Sequence, residues 1–186
     1  MIDWLNQLDH GLFIILNSLN HPVVDPIMVF FSAKLVWIPL YAFLIYFLFK
    51  TFGKQGFIYL TALLLAVGAS DQLTSSVMKP GFERLRPCHD PTLSEEITIV
   101  DRCGGKYGFA SGHAANSFML ATFFTVLFGS LKKFRWLFLW SGIVAYSRVY
   151  LGVHFPGDII VGALLGSMMG YLFYLGANRI VVARAN

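Results

Sequence analysis

The sequence predicts an all-α, polytopic membrane helix bundle: five transmembrane helices, or six if the N-terminal segment also spans, plus an N-terminal amphipathic interfacial helix. Three observations predict it. The chain is 56% hydrophobic, 16% aromatic and 13% charged, and its mean hydropathy is +0.65, well beyond the balance of soluble domains. Apolar runs of bilayer-crossing length, roughly 17 to 25 residues allowing for tilt, take up most of its 186 residues. Polar residues gather in one sizeable connection, from about Pro80 to Phe109, which leaves no room for a separate soluble domain. Residues 1–186 are therefore expected to form a single integral membrane domain, with 1–20 as the interfacial helix and 80–112 as an extracytoplasmic loop.

Along the chain, Leu5, Leu8, Leu12, Leu16 and Leu19 recur at helical spacing against Asn6, Asp9, Asn17 and Asn20, the pattern of a helix lying in the bilayer surface. Met1 to Asn20 lacks a basic start and carries Asp3, Asp9 and His10, so no cleavable signal peptide is expected. The first span covers about Leu35 to Phe49, with a possible extension back to Ile27 past Lys34. The second runs from Phe57 to Val77 and contains Asp71, the one acid inside a span. The third, fourth and fifth run from about Ala114 to Gly129, Trp136 to Tyr150 and Ile159 to Leu175.

Orientation follows from the cations, because cytoplasmic connections carry an excess of Lys and Arg. Lys50 and Lys54, then Lys132, Lys133 and Arg135, then Arg179 and Arg184 occupy segments that contain no acid. The Pro80 to Phe109 loop and the Arg148 to Asp158 turn fall on the opposite side. There Lys79, Arg84, Arg86, Arg102, Lys106 and Arg148 break the positive-inside trend, which an anionic ligand explains. Cys88 and Cys103 both lie in that outer loop. A disulfide there would close a loop of roughly 15 residues, worth about 3 kcal/mol in the chain-entropy model; two free thiols are the alternative. A zinc site using His89 as well fits no standard ligand spacing.

Three clusters sit where apolar runs end or begin. In Lys79-Pro80-Gly81-Phe82-Glu83-Arg84-Leu85-Arg86-Pro87, Pro80-Gly81 is expected to end the second span, making Lys79 its last residue. Arg86 offers a planar fork for two phosphate oxygens and Lys79 a point charge. Glu83 and Arg84 read as a solvated or headgroup-facing pair. In Ala110-Ser111-Gly112-His113, Ser111 is a natural N-cap and the free amides around Gly112 suit an anion, while His113 can act as a general acid near neutral pH. In Ser147 to Asp158, Pro156 suits a helix start. That puts His154 at the entrance to the fifth span and Asp158 about one turn on, where its carboxylate can fix the tautomer and leave the other ring nitrogen free to attack phosphorus. Read singly, these residues are snorkelling anchors, a cap, an interfacial histidine and a helix-start acid; that reading does not account for their combination. Asp71, Ser75 and Lys79 follow at four-residue steps, so Asp71 either steers Lys79 or an arginine behind the site, or makes a buried interhelical hydrogen bond.

Lys, six residues, Arg-Pro; then Ser-Gly-His; then Ser-Arg, five residues, His, three residues, Asp: this pattern resembles the type 2 phosphatidic acid phosphatase superfamily, which also includes bacterial lipid phosphatases, glucose-6-phosphatases and vanadium haloperoxidases. The match covers about 80 residues, Lys79 to Asp158. The residue before Ser-Gly-His is usually proline in that family and is Ala110 here, a departure that affects loop geometry and removes no catalytic group. The resemblance implies a metal-independent, cofactor-free phosphatase. His154 would form a phosphohistidine with Asp158 orienting it, and His113 would protonate the leaving group. Lys79, Arg86, Ser111, Gly112 and Arg148 would hold the phosphoryl oxygens. Charge logic agrees, since phosphoryl transfer is mainly positioning and electrostatic stabilisation.

The partners expected are the bilayer and a phosphorylated lipid whose tails stay in it, such as undecaprenyl pyrophosphate, lipid A, phosphatidylglycerol phosphate or phosphatidic acid; no nucleic-acid partner is expected. Chain length and cation bias favour a bacterial inner membrane, with the site facing the periplasm or exterior. The alternatives are a catalytically inactive lipid-phosphate-binding protein and a small transporter or channel. A transporter gives no reason for the histidines, Ser-Gly-His and Arg-Pro to converge, and an inactive relative gives none for every matched position being filled.

Overall fold

The computed structural model describes residues 2–129 and 132–185. Met1, Ser130, Leu131 and Asn186 lie outside the described residues, as do the side chains of Asp3, Lys132 and Lys133 that entered the charge pattern. The helices are α1 (Ile2–Asn17), α2 (Asp25–Ser32), α3 (Ile38–Phe52), α4 (Gly56–Gln72), α5 (Lys79–Phe82), α6 (Gly112–Leu127), α7 (Trp136–Tyr150) and α8 (Pro156–Ala185). No strand forms among the described residues; an isolated bridge pairs Leu85 with Tyr107.

Two helical stretches, Leu35–Phe82 and Pro156–Arg184, are long and apolar enough to cross a membrane. The first folds back at Gly53, whose φ of 52° and ψ of −128° suit a residue without a Cβ. Beyond the turn, Phe52 meets Tyr59 at 4.9 Å between ring centroids, and Leu44 and Ile45 face Leu60 and Leu64 across one cavity. The hairpin therefore supplies two antiparallel helices. α4 and α5 are joined by a π-helical turn, Leu73–Met78. Pro80 cannot donate to the ladder and crowds the carbonyl four residues back, and the wider turn just before it accommodates both defects. The expectation that Pro80-Gly81 ends this span is thus corrected. The helix runs on to Phe82 and stops where Glu83 turns left-handed at φ 47°, so Lys79 is not its last residue.

α6 packs on α8, α7 and α4, most extensively on α8. The contact with α8 uses Gly162, Gly166 and Gly170, one helical turn apart. A Cβ on these residues would collide with the backbone carbonyls of Ser111, Ala115 and Met119 respectively. Small residues at four-residue intervals let two helices touch backbone to backbone where lipid supplies no hydrophobic drive. Gly166→Val should push the helices apart and cost about 1–3 kcal/mol, as overpacking of a tight interface does. Thermal unfolding in detergent should show a lowered midpoint, and an unchanged one would contradict the contact. At the other end of α6, Phe47, Phe52, Phe124, Phe128 and Phe134 form an aromatic core.

α1 is amphipathic as expected, but its polar side faces the protein. Leu5, Leu8, Leu12 and Ile15 are exposed, whereas Asn17 is buried and donates to the carbonyls of Tyr150 (2.9 Å) and Thr98 (3.0 Å). The apolar stripe is the outer surface because the polar stripe supplies hydrogen-bond partners that buried backbone groups require. The segment from Ile27 does not extend the first span. It forms the separate α2, packed on α7, and Tyr150 Oη donates to Asp25 at its start (2.7 Å). With α4–α5, α6, α7 and α8 alternating in direction, the ends that carry all three motif clusters lie together.

Candidate active site

His154 lies between α7 and α8 and is buried. Its Nδ1 is 3.3 Å from Asp158 Oδ2, and Arg86 Nη1 lies 3.4 Å from its Nε2. A carboxylate only accepts and a guanidinium only donates. The ring proton therefore sits on Nδ1, and the Nε2 lone pair points toward Arg86 and the cavity beyond. Burial pushes the imidazole down from 6.5 to about 4; Asp158 opposes the shift, and the Arg86 and Arg148 charges add to it. The ring is neutral at neutral pH, the form a nucleophile needs. Asp158 follows because α8 opens on Pro156, which spaces His154 and Asp158 one turn apart. Its Oδ2 also accepts the Phe155 amide at 3.1 Å.

Arg86 is buried and is aimed by two carbonyls: Nε donates to Tyr107 at 3.2 Å and Nη1 to Val153 at 3.3 Å. Its segment is paired with the far side of the loop between α5 and α6 by Arg86 N–H to Lys106 (3.1 Å) and Gly108 N–H to Arg84 (2.9 Å). Cys88 and Cys103 are joined in a disulfide with Cα atoms 5.9 Å apart. This bridge ties the short helical turn after Arg86 to the return of the loop and leaves neither sulfur to ligate a metal beside His89.

Ser111 holds the N-cap position of α6 but its hydroxyl makes no cap bond. This corrects the expectation of a capping serine. The Ser111 amide donates to the Asp158 carbonyl at 3.0 Å, pinning α6 to α8, and Oγ is buried with no partner. Arg148, in the last turn of α7, donates through Nη1 to Ser32 Oγ at the end of α2, and its Nε is likewise buried and unpartnered. His113 is hydrogen-bonded to the Ser32 backbone. Buried polar atoms are nearly always satisfied, so the orphaned Nε of Arg148, which lines the cavity described next, marks where a polar ligand belongs.

One cavity of about 860 Å³ gathers Lys79, Arg86, Gly112, His113, Arg148 and His154. Asp71 and Ser75 line it too, as their spacing from Lys79 required. Beyond this polar end it continues between α3 and α4 along Tyr41, Leu44, Leu60 and Leu63. The site residues named from the sequence therefore converge, with Ser111 and Asp158 just behind the lining. Three features were not read from the sequence. Ser32 and Lys34 join the site from the α2–α3 turn, carrying no motif to announce them. Arg84 is not a headgroup-facing residue: its fork joins Asp158 (2.8 Å) to Asp9 (2.6 Å). A buried carboxylate demands a cation, and Asp158 takes Arg84.

A family model described as the PAP2 superfamily matches residues 55–181. The chain is 38% identical over 183 residues to the lipid A 4'-phosphatase of Bacteroides thetaiotaomicron, covering 97% of this chain and 81% of that protein. It is 32% identical over 168 residues to an undecaprenyl-diphosphatase of Sulfolobus acidocaldarius, covering 87% and 74%. Among solved structures, Aquifex aeolicus LpxE superposes with a TM-score of 0.65 at 27% identity, over 89% of this chain and 94% of that one. A PAP2-type phosphatidylglycerolphosphate phosphatase from Bacillus subtilis shares the fold, with a TM-score of 0.74 at 23% identity over 95% and 87%.

Proposed function

The chain belongs to the PAP2 superfamily and is a membrane lipid phosphatase, and on that premise we propose that it hydrolyses a phosphomonoester on a lipid A-type glycolipid through a phosphohistidine, at the extracytoplasmic face. The observation that carries the reading is the single cavity that gathers His154, Lys79, Arg86, His113 and Arg148 at one end and is apolar at the other, with the buried Arg148 Nε left unpartnered.

In this reading the phosphate sits among Lys79, Arg86, Arg148, the Ser111 hydroxyl and the Gly112 amide. His154 Nε2 attacks phosphorus as the bond to the leaving sugar oxygen breaks, and His113 gives that oxygen its proton. His113 then takes a proton from water, which attacks the phosphohistidine and frees inorganic phosphate and the His154 ring. The three cations stabilise the charge on the phosphoryl oxygens. The apolar extension of the cavity suits acyl chains. The disulfide fits an oxidising exterior, and the cation-bearing turns between α3 and α4 and between α6 and α7 fit the cytoplasmic side; both support a multi-pass protein of a bacterial inner membrane. The two relatives that share 38% identity are both named for lipid A 4'-dephosphorylation, which favours a sugar phosphomonoester over a polyprenyl pyrophosphate.

The test is phosphate release from lipid A, undecaprenyl pyrophosphate, phosphatidylglycerol phosphate and phosphatidic acid in detergent, with chelator present and with vanadate as inhibitor. Vanadate-sensitive release, fastest from lipid A, is expected. Fastest release from undecaprenyl pyrophosphate would overturn the substrate assignment, and a folded protein inert on all four would favour a binding protein that does no chemistry.

A further inference from the structure

His154 and Asp158 are held from behind by the N-terminal helix. Arg84 donates Nη1 to Asp158 Oδ1 at 2.8 Å and Nη2 to Asp9 Oδ2 at 2.6 Å, so one guanidinium bridges the dyad's carboxylate and an acid on α1. The other Asp9 oxygen accepts the Gly157 amide at 2.7 Å. Between these contacts lies Phe155, buried under α1. The Arg84 guanidinium covers its ring at 4.3 Å, His10 stacks on it at 4.6 Å and Phe13 meets its edge at 5.3 Å. The segment from His154 to Asp158 is thus gripped at Phe155, Gly157 and Asp158 by α1 and Arg84. Arg84 and Asp9 stand outside the lining of the cavity, with their side chains committed to Asp158, Phe155 and Gly157.

We propose that Arg84 and Asp9 are positioning residues for the phosphatase reaction: Arg84 keeps the Asp158 carboxylate aimed at His154 Nδ1, and Asp9 fixes Arg84 and the Gly157 amide, making α1 part of the dyad's scaffold. The proposal rests on the reading of His154 as the nucleophile. Its physical basis is the burial of Asp158, which is 0% exposed. A buried carboxylate keeps its place only when paired and hydrogen-bonded. Deprived of Arg84, Asp158 Oδ1 loses its cation partner, and a carboxylate free to turn no longer holds Oδ2 on Nδ1 to compel the tautomer. Lysine cannot replace the fork, because the two nitrogens serve two different carboxylates. Gly157 belongs to the same device, since a Cβ there would sit 2.7 Å from Asp9 Oδ2.

The test is steady-state kinetics with a lipid phosphomonoester, combined with nitrogen-15 NMR of labelled histidine in detergent, on Arg84→Gln, Arg84→Lys, Asp9→Asn and Gly157→Ala. Wild type should show a neutral His154 with its proton on Nδ1. Loss of tautomer control in a triad costs on the order of 10⁴-fold; with Asp158 still present, Arg84→Gln should lower kcat about 100-fold or more, with KM within about threefold and the Nδ1–H signal shifted or lost. Arg84→Lys should fall between wild type and Arg84→Gln. Asp9→Asn and Gly157→Ala should lower kcat about tenfold, the latter without altering any charge. If Arg84→Gln does not fold, Arg84→Lys and Asp9→Asn carry the same readouts. A folded Arg84 or Asp9 variant that keeps wild-type kcat and the wild-type Nδ1–H signal overturns the proposal, as does lost activity with that signal unchanged. His154→Ala run alongside separates the two levels. Full activity in His154→Ala removes the nucleophile and with it the reason to position the ring, whereas an inactive His154→Ala with unaffected Arg84 variants removes the positioning role alone.

Discussion

His154→Ala is expected to reduce lipid-phosphate release by about 10⁴-fold or more, the scale on which removing a nucleophile silences an enzyme that relies on one. The expectation follows from the exclusivity of the site's geometry. Nε2 of His154 is the lone pair facing the cations, and the second histidine, His113, opens α6 and is tied to the Ser32 backbone. The variant should still fold. Asp158 keeps Arg84 and the Phe155 amide as partners, so no buried charge is orphaned by the substitution. Two readouts check it: phosphate release from the preferred lipid, and rapid acid-free quench of enzyme mixed with phosphorus-32 lipid. Wild type should trap an acid-labile, alkali-stable phosphoenzyme, and His154→Ala should trap none. A variant within tenfold of wild type, or one that still forms the phosphoenzyme, would move the nucleophile elsewhere.

How much of this was legible in the sequence depended on whether the signal was local. The spans and the helix starts at Pro156 and Gly112 rest on composition and on residues next to one another, and the structure has helices in each of those places. The same holds for His154 and Asp158, whose four-residue spacing on a helix start brings ring and carboxylate within 3.3 Å. Convergence of Lys79, Arg86, His113 and Arg148 was inferable because each sits at a helix end and alternating helices bring alternate ends together.

What escaped was information that exists only in tertiary contact. Asp9 reads as the polar side of an interfacial helix and Arg84 as a loop cation, and neither carries a mark of the other, 75 residues away. The solvated reading of Arg84 failed because burial of Asp158 makes a cation behind it necessary, and sequence does not reveal which carboxylates are buried. α2 is 8 residues long, too short to give a periodic signal, yet its terminal Ser32 contacts Arg148 and supports His113. The π-helical turn was equally hidden. Pro80 is a strong break signal, and the chain absorbs it one turn earlier instead of ending the helix.

Arg86→Lys is expected to lower kcat by about 10²- to 10³-fold, the usual cost of losing one preorganised donor at a developing charge, although the formal charge is kept. The guanidinium is occupied on one edge by structure and free on the other for chemistry. Nε and Nη1 are committed to the carbonyls of Tyr107 and Val153, and Nη1 also approaches His154 Nε2, which leaves Nη2 to meet a phosphoryl oxygen. A lysine ammonium has a single nitrogen. If it reaches the cavity it abandons both carbonyls, leaving buried acceptors unpaired; if it satisfies a carbonyl it withdraws from the phosphate. Either way the point charge survives and the geometry does not, so kcat should fall more than KM rises, because the lost interaction strengthens as charge builds on the phosphoryl oxygens. Kinetics on the preferred lipid, with the melting midpoint as a folding control, decide the matter. A large rise in KM at unchanged kcat would mean that Arg86 binds ground state and transition state alike, and wild-type kinetics would mean that the charge alone suffices and the two carbonyl contacts are dispensable.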